Sequence, residues 1–187
     1  MKNRFSPALI FIIVMLIFFS QTQSAGAFDV RIREHIQESR TNSLDYFMDS
    51  VTNMGDGTFT GSIALSIPDR ELQRHAIKTQ IVAAVSTNFL KFLIGRRRPS
   101  GEKADPVIFK PFRFNSRYHS MPSGHTAAAF ALAASIGENC DNYRMLSYSI
   151  AIMVGISRIY RDDHWASDVI VGAGLGYLSA KFVSYHW

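Results

Sequence analysis

Three short segments of the chain contain residue types that could bind an anion and supply a base or a nucleophile. They are residues 91–99 (KFLIGRRRP), residues 122–125 (PSGH) and residues 157–168 (SRIYRDDHWASD). Lysine and arginine pair with the oxygens of anions, and histidine can act as a nucleophile or transfer protons near neutral pH. These segments are therefore the first candidates for an active site.

Basic side chains and a helix start together predict an anion site. Lys91 lies near the end of a predicted helix and Arg98 lies just past the break at Gly95, so both cations can reach a common point. Ser123 and Gly124 begin another predicted helix, whose free amides and positive dipole end favour phosphate. Taken singly, each feature is more often a solvated charge or an ordinary capped helix than an anion site.

Two histidines are candidates for the reacting groups. His125 lies in the first turn of its helix, where the dipole disfavours a charged imidazole unless an anion or a task compensates. His164 and Asp168 are four residues apart, and on a helix this spacing lets the carboxylate accept a hydrogen bond from the imidazole. That bond would leave the other ring nitrogen free as a base or nucleophile, although such a pair alone is more often a surface pair.

Together the three segments resemble the signature of the type 2 phosphatidic acid phosphatase (PAP2) and vanadium haloperoxidase superfamily. The signature reads Lys-x6-Arg-Pro, Pro-Ser-Gly-His and Ser-Arg-x5-His-x3-Asp, and the chain matches every position. The resemblance implies that His164 is the nucleophile, that Asp168 orients and activates it, and that His125 protonates the leaving oxygen and later deprotonates water. It implies that neither a metal nor a cofactor is needed. It also implies five phosphate-binding residues: Lys91, Arg98, Ser123, Gly124 and Arg158.

A few residues near the signature have weaker interpretations. His119 is a minor candidate for substrate contact, and Trp165 is more typical of core packing. Arg96 belongs to a run of three arginines that by itself is typical of a solvated loop. Cys140 is the single cysteine, so an intramolecular disulfide is excluded.

The first 27 residues have the layout of a secretory signal. Two basic residues precede an apolar run over residues 8–19, and Ala25-Gly26-Ala27 forms a small-residue cleavage site before Phe28. We therefore predict a signal peptide over residues 1–27 and a phosphatase domain over residues 28–187, exported to the periplasm or attached to a membrane. An uncleaved membrane anchor is the alternative, although the apolar run is shorter than the roughly 20 residues of a bilayer span.

The remaining pattern predicts an all-α helical bundle, which the resemblance identifies as the PAP2/haloperoxidase type. A weak helix is predicted over residues 30–38, and a stronger one follows, capped by Ser43 and ending near residues 55–57. A long helix runs from Pro68 to Gly95, and three more cover about residues 123–137, 142–159 and 164–181. Residues 101–121 predict a loop over the site. The expected buried stripe of the long helix is Leu72, Ile81, Val85, Phe89 and Phe92.

The apolar stretches of the last three helices are each near a dozen residues, short of a span of about 20. This favours a soluble or peripherally attached domain, with a six-span membrane protein as the alternative. Six spans would place residues 68–74 and 138–144 in the cytoplasm, where basic residues are expected. The first segment is charge-balanced and the second is net negative.

The sequence predicts a metal-independent phosphatase that acts on a phosphate monoester or diphosphate, of a lipid or a soluble molecule, through a phosphohistidine. A net charge of +5, which falls to +3 without the leader, does not indicate nucleic acid binding. A vanadium haloperoxidase is a less favoured alternative because such enzymes are typically much larger. A non-catalytic phosphate-binding protein would have no use for the nucleophile, the acid and the orienting carboxylate together.

Overall fold

The computed structural model describes residues 22–100 and 104–186. Within these ranges the chain folds as a bundle of α-helices, and the prediction of an all-α fold is confirmed. A 3₁₀ turn, Ser116–Tyr118, lies in the loop before the fifth helix, as does an isolated bridge between Arg96 and Phe109. The helices are α1 (Thr22–Glu38), α2 (Asn42–Asn53), α3 (Gly57–Ser66), α4 (Arg70–Ile94), α5 (Gly124–Asn139), α6 (Asp141–Tyr160) and α7 (Ala166–His186).

Polar side-chain caps determine where α2, α3 and α4 begin. Asp56 caps α3 by accepting a hydrogen bond from the Thr58 amide at 2.8 Å, and Asp69 caps α4 in the same way. The cap of α2 is Thr41, so the prediction of Ser43 was wrong by two residues. Ser43 lies inside the helix, because the Thr41 hydroxyl already accepts a hydrogen bond from the Leu44 amide in the first turn.

Gly95 ends α4 for two physical reasons. Its φ of 59° lies in the left-handed region that glycine tolerates best. A Cβ at this position would also lie 1.9 Å from the carbonyl oxygen of Lys110. The chain therefore turns sharply after α4 and brings the arginine segment back beside the loop of residues 104–121.

Helix α5 lies in the core and packs against α4, α6 and α7. Its contact with α7 is close because the facing residues are small. A Cβ on Gly176 would lie 2.3 Å from the carbonyl oxygen of Ala127, and one on Gly172 would lie 2.6 Å from that of Ser123. Close backbone approach through glycine is common between membrane helices. Here it brings the start of α7 against the start of α5.

The buried stripe predicted for α4 was wrong at three of its five residues, and the other two, Leu72 and Phe92, are half-buried. Ile81, Val85 and Phe89 are 58 %, 65 % and 61 % exposed. The helix packs inward through small side chains instead, and the bulky apolar ones face outward, as in membrane bundles where apolar burial does not distinguish core from lipid. Among the described residues, α4 is the one helix long and apolar enough to cross a membrane. The buried side chains of α4 are Ala76, Thr79, Ala83, Thr87 and Ile94.

Helix α1 is longer than the predicted helix over residues 30–38. Its described part, Thr22–Glu38, runs without a break past the predicted cleavage point between Ala27 and Phe28. Residues 1–21, which make up most of the predicted signal peptide, lie outside the described residues. On α1, Arg33 forms an ion pair with Asp162 at 2.5 Å, which ties the helix to the turn between α6 and α7.

Candidate active site

The residues predicted for the site converge at one end of the bundle. Lys91 comes from the end of α4, His125 from the start of α5, and Arg158 from the end of α6. The turn between α6 and α7 contributes His164, and the loop after α4 contributes Arg98. Gly95 ends α4 at this face, and Ser123 occupies the N-cap position where α5 begins.

His164 lies in the turn that precedes α7, not on the helix that its spacing to Asp168 predicted. The helix begins at Ala166. The turn still brings the pair together, with Nδ1 of His164 3.6 Å from Oδ2 of Asp168, slightly beyond a normal hydrogen bond. The other ring nitrogen, Nε2, faces Nη1 of Arg98 at 3.5 Å. The imidazole therefore points one nitrogen at a carboxylate and the other at the predicted anion site.

The environment of His164 keeps its imidazole neutral. The side chain is 2 % exposed, and this burial lowers its pKa to about 3 although the interaction with Asp168 raises it. The positive charges of Lys91 and Arg98 lower the pKa further. A neutral imidazole retains the lone pair that a nucleophile requires.

Asp168 is fully buried and is fixed by three donors. Its Oδ2 accepts hydrogen bonds from the Ser120 hydroxyl at 2.5 Å and from the Trp165 amide at 2.9 Å. Its Oδ1 accepts one from Nη1 of Arg96 at 2.6 Å. The carboxylate can therefore neither rotate nor take a proton without breaking bonds.

Sequence reasoning missed Arg96 and Ser120. Arg96 was interpreted as part of a solvated loop, yet it is 3 % exposed and bonded to Asp168. A run of arginines gives no sign of which member is buried. The turn at Gly95 decides this, because it directs the first arginine after α4 inward.

The loop of residues 104–121 holds the predicted phosphate-binding cations. Lys91 donates to the carbonyl oxygen of His119 at 2.7 Å. Arg98 donates to the carbonyl oxygens of Asp163 at 3.0 Å and Ser116 at 3.2 Å. The ring of His119 bonds the Arg113 carbonyl instead, so the contact of His119 with the site is through its backbone.

Arg158 completes the group of cations from the opposite side. It is 7 % exposed, and its Nη1 donates to the Thr52 hydroxyl of α2 at 2.5 Å. Its Nη2 lies 2.8 Å from the carboxylate of Asp163. Asp163 precedes His164, so the turn carrying the imidazole also holds Arg158 in place.

The start of α5 is arranged around Ser123, which lies at the N-cap position and is fully buried. Its side chain makes no capping bond and instead accepts a hydrogen bond from the Thr126 hydroxyl at 2.9 Å. Its amide donates to the carbonyl oxygen of Asp168 at 2.9 Å. The next residue, Gly124, lies beside Lys91, so the amide-rich helix end faces a cation and can share an anion with it.

His125 lies where the corner between α2 and α3 touches α5. A Cβ on Gly55 would lie 2.9 Å from the Cβ of His125, so glycine makes this approach possible. His125 and Lys91 also line one end of a groove of about 370 Å³ between α4 and α5. The groove continues along α4 past Thr87 and Ala84.

The donors of the site are unlike those of a metal centre. Within residues 22–100 and 104–186, no group of three or more His, Cys, Asp or Glu side chains could hold a metal ion. The converging groups are cations, a neutral imidazole and helix amides. Such a set suits a ligand with several negative oxygens.

Comparison with known proteins identifies relatives that match about half of the chain. A Lipid A 1-phosphatase of Porphyromonas gingivalis is 40 % identical over 92 residues, which cover 47 % of this chain and 18 % of that protein. A Lipid A 1-phosphatase of Rhizobium johnstonii is 33 % identical over 99 residues, covering 52 % of this chain and 41 % of that protein. The matched part thus spans less than half of either relative's length.

Solved structures have the same fold. The crystal structure of Aquifex aeolicus LpxE covers 84 % of this chain and 95 % of its own, with a TM-score of 0.72 and 23 % identity. The transmembrane PAP2-type phosphatidylglycerolphosphate phosphatase of Bacillus subtilis covers 97 % and 96 %, with a TM-score of 0.62 and 18 % identity. The sequence model of the protein family named PAP2 superfamily matches residues 76–187, which contain all three segments of the candidate site. This chain therefore belongs to the PAP2 superfamily.

Proposed function

We propose that the protein is a metal-independent phosphatase that forms a phosphohistidine on His164. The observation that carries this proposal is the neutral, buried imidazole, whose Nδ1 faces a fixed carboxylate and whose Nε2 faces Arg98. Three cations and the start of α5 surround the place where a phosphoryl group would meet Nε2. This arrangement supports attack on phosphorus more than simple anion binding.

In the first step, Nε2 of His164 attacks phosphorus and the bond to the ester oxygen breaks. Lys91, Arg98 and Arg158 stabilise the negative charge on the three equatorial oxygens as the five-coordinate arrangement forms. His125 donates a proton to the departing oxygen, and Asp168 stabilises the positive charge that the imidazole gains. The products of this step are the alcohol and the phosphohistidine.

In the second step, His125 accepts a proton from water while the water oxygen attacks phosphorus. The phosphorus–nitrogen bond breaks, neutral His164 is regenerated, and inorganic phosphate leaves. The same cations stabilise both transition states, so the residues of the chain complete the cycle without a metal.

We infer that the substrate is a lipid phosphate. The groove between α4 and α5 begins at Lys91 and His125 and is lined farther along by small or apolar residues such as Ile81, Ala84 and Ala128. An ester whose phosphate meets the cations can therefore place hydrocarbon in the groove. The names of the relatives, Lipid A 1-phosphatases, support the same substrate class.

We also propose that the protein lies in a membrane, as in the six-span alternative. Bulky apolar side chains cover the outside of the bundle, including Val85 of α4, Met145 of α6 and Ile170 of α7, which are 65 %, 82 % and 52 % exposed. Many exposed bulky apolar side chains are unfavourable in water but suit lipid. With the basic N-terminus on the cytoplasmic side, one crossing by the leader would place the site outside the cytoplasm.

The catalytic proposal is tested with purified full-length protein in lipid nanodiscs. Phosphate release is measured from phosphatidic acid, phosphatidylglycerol phosphate, lipid A, isoprenyl diphosphate and p-nitrophenyl phosphate. Turnover should persist in chelator, and vanadate should inhibit because it resembles five-coordinate phosphorus. Loss of turnover in chelator that magnesium or zinc restores would refute the mechanism, and peroxide-dependent halide oxidation would favour the haloperoxidase alternative.

The lipid proposal is tested by filling the groove. Ala84→Phe should raise KM for a lipid phosphate about tenfold, which corresponds to losing about two buried methylene groups. Its kcat/KM for p-nitrophenyl phosphate should not change. Val85→Phe adds a similar ring one residue away on the outward face and is the matched control. Equal effects of Ala84→Phe on both substrates would contradict a hydrocarbon-binding groove.

A further inference from the structure

A carboxylate on α1 reaches the interior next to the candidate site. Asp29 is fully buried, although it lies outside the three signature segments and outside the family match at residues 76–187. Its Oδ2 accepts hydrogen bonds from Nη2 of Arg96 and from the Ser167 hydroxyl, both at 2.6 Å. Its Oδ1 accepts one from the Ser167 amide at 2.8 Å. Among the described residues, the hydrogen bonds to both oxygens of this buried acid come from Arg96 and Ser167.

Both of those residues, Arg96 and Ser167, are connected to Asp168. Arg96 donates through Nη1 to Asp168 and to the Ser167 hydroxyl, each at 2.6 Å, and Ser167 is the residue that precedes Asp168. The Nε of Arg96 donates to the carbonyl oxygen of Pro106 at 2.9 Å. The guanidinium is therefore held by hydrogen bonds on both edges, between the carboxylates of Asp29 and Asp168.

Aromatic rings hold the same guanidinium from its faces. The rings of Phe109 and Trp165 lie 5.7 Å and 5.8 Å from the central carbon of Arg96. Burial would lower the pKa of Arg96, but the two carboxylates raise it, so the group stays charged. The Arg96 cation is thus shared by two buried carboxylates. Because Asp29 also pairs with Arg96, less of the negative charge of Asp168 is neutralised.

We propose that Asp29 is a positioning residue for the reaction, acting through Arg96 and Ser167 on the carboxylate that faces His164. This inference rests on the proposed phosphohistidine mechanism. When His164 attacks phosphorus, its imidazole becomes positive, and the negative charge of Asp168 stabilises that state. Without Asp29, Arg96 would turn fully to Asp168, which would then stabilise the imidazolium less.

The competing interpretation is that Asp29 only anchors α1. Arg33 offers the matched control, because it also ties α1 to the site end through Asp162 but does not contact Arg96 or Asp168. Asp29→Asn removes the charge and retains the shape. With p-nitrophenyl phosphate in nanodiscs, Asp29→Asn should lower kcat about 10- to 100-fold, as loss of a supporting hydrogen-bond partner typically does, with KM nearly unchanged.

Rapid-quench measurement should show that Asp29→Asn slows formation of the phosphohistidine. Arg33→Gln should keep kcat and lower the unfolding temperature at most. An unchanged kcat in Asp29→Asn, or an equal loss of kcat in Arg33→Gln, would overturn the proposal. If Asp29→Asn does not fold, kcat of Ser167→Ala is measured instead. This variant removes the hydroxyl that bonds Arg96 and Asp29 and keeps all charges, so it should lower kcat by a smaller factor. An unchanged kcat there would also overturn it.

A double-mutant cycle tests whether Asp29 acts through Arg96. The loss caused by Asp29→Asn should largely disappear in an Arg96→Lys background, because the connection to Asp168 is already altered. Losses that multiply would mean independent action and would contradict the route proposed. A wild-type protein that forms no phosphohistidine would refute the proposed function and this inference together, whereas an active wild type with unaffected variants refutes the inference alone.

Discussion

At the scale of single residues, the proposed mechanism assigns the two histidines to different atoms, so their alanine variants should fail differently. His164→Ala removes the attacking nitrogen, so we expect no turnover on any substrate. His125→Ala removes proton donation, which contributes roughly 10²- to 10⁴-fold only when the leaving oxygen needs a proton. It should therefore lose much more activity on a lipid phosphate than on p-nitrophenyl phosphate.

Rapid quench with labelled substrate separates the two roles. His125→Ala should accumulate acid-labile phosphohistidine, because the activation of water in the second step is impaired. Trapped phosphate should be absent in His164→Ala. Equal losses in both variants on both substrates, with no phosphoenzyme trapped, would contradict this division of roles.

The same burial that keeps His164 neutral makes the fold sensitive to acid. The side chain lies in a turn outside the helices, and its pKa is lowered by burial from 6.5 to about 3. Between pH 6.5 and about 3, the unfolded state binds a proton at this imidazole and the folded state does not. The contribution of neutral His164 to the free energy of unfolding is therefore complete above pH 6.5 and is lost as the pH falls toward about 3. The unfolding temperature in detergent should therefore decrease over this interval.

His164→Gln is the control for this pH dependence, because glutamine has similar polarity and does not titrate. The decrease in unfolding temperature between pH 6.5 and pH 4 should be shallower in the variant than in the wild type. Identical slopes would mean that other groups determine the acid sensitivity.

At the scale of elements, the contact between α5 and α7 positions the site. Gly176→Ala would place a methyl group 2.3 Å from the Ala127 carbonyl oxygen. We expect a loss of stability of at least about 1–3 kcal/mol and reduced kcat, because the two helix starts carrying Ser123 and Asp168 would separate. Gly174→Ala, two residues away, meets no atom within 4 Å and should be neutral or stabilising by up to about 1 kcal/mol.

Thermal unfolding and phosphate release, measured on both variants, decide the point. Equal stability of the two would show that α5 and α7 separate at little cost. Normal stability of Gly176→Ala with lost activity would instead locate the constraint at the site alone.

Local signals predicted elements well where they are strong. Asp69 and Gly95 bracket α4 as expected, because a side-chain cap and a left-handed glycine act within a few residues. Helix α3 was not predicted, since its glycines and threonines have low helix propensity and residues 55–57 were interpreted only as an end. The outward face of α4 could not be predicted from periodicity, because an apolar stripe looks the same whether protein or lipid covers it.

The candidate site divides in the same way. His164, Asp168 and Arg158 could be predicted because their spacing resembles a known signature. Arg96 and Asp29 could not, because their contacts cross 72 and 138 residues of sequence, to Asp168 and to Ser167 respectively, and depend on the turn after α4 and the path of α1. Short motifs contain the predicted reacting groups, whereas the tertiary fold determines which residues contact and support them.

At the scale of the whole molecule, the question is whether the N-terminal segment stays attached. Helix α1 runs unbroken through the predicted cleavage point, and Asp29 lies only two residues beyond it. Cleavage before Phe28 would remove the first turns of α1 and leave the buried carboxylate next to a charged, flexible terminus. We therefore propose that the N-terminal segment stays attached, as in the uncleaved-anchor alternative.

We accordingly predict that the protein isolated from its native membrane retains residues before Phe28. Intact-mass measurement and N-terminal peptide mapping decide this. As a functional check, a protease site inserted between Ala25 and Gly26 should let the same purified protein be cut in place. Cutting should lower kcat on p-nitrophenyl phosphate as Asp29→Asn does, because the start of α1 no longer holds Asp29 against Arg96. A native N-terminus at Phe28 with full activity would show instead that residues 28–38 keep Asp29 in position unaided, and that the leader is a signal peptide after all.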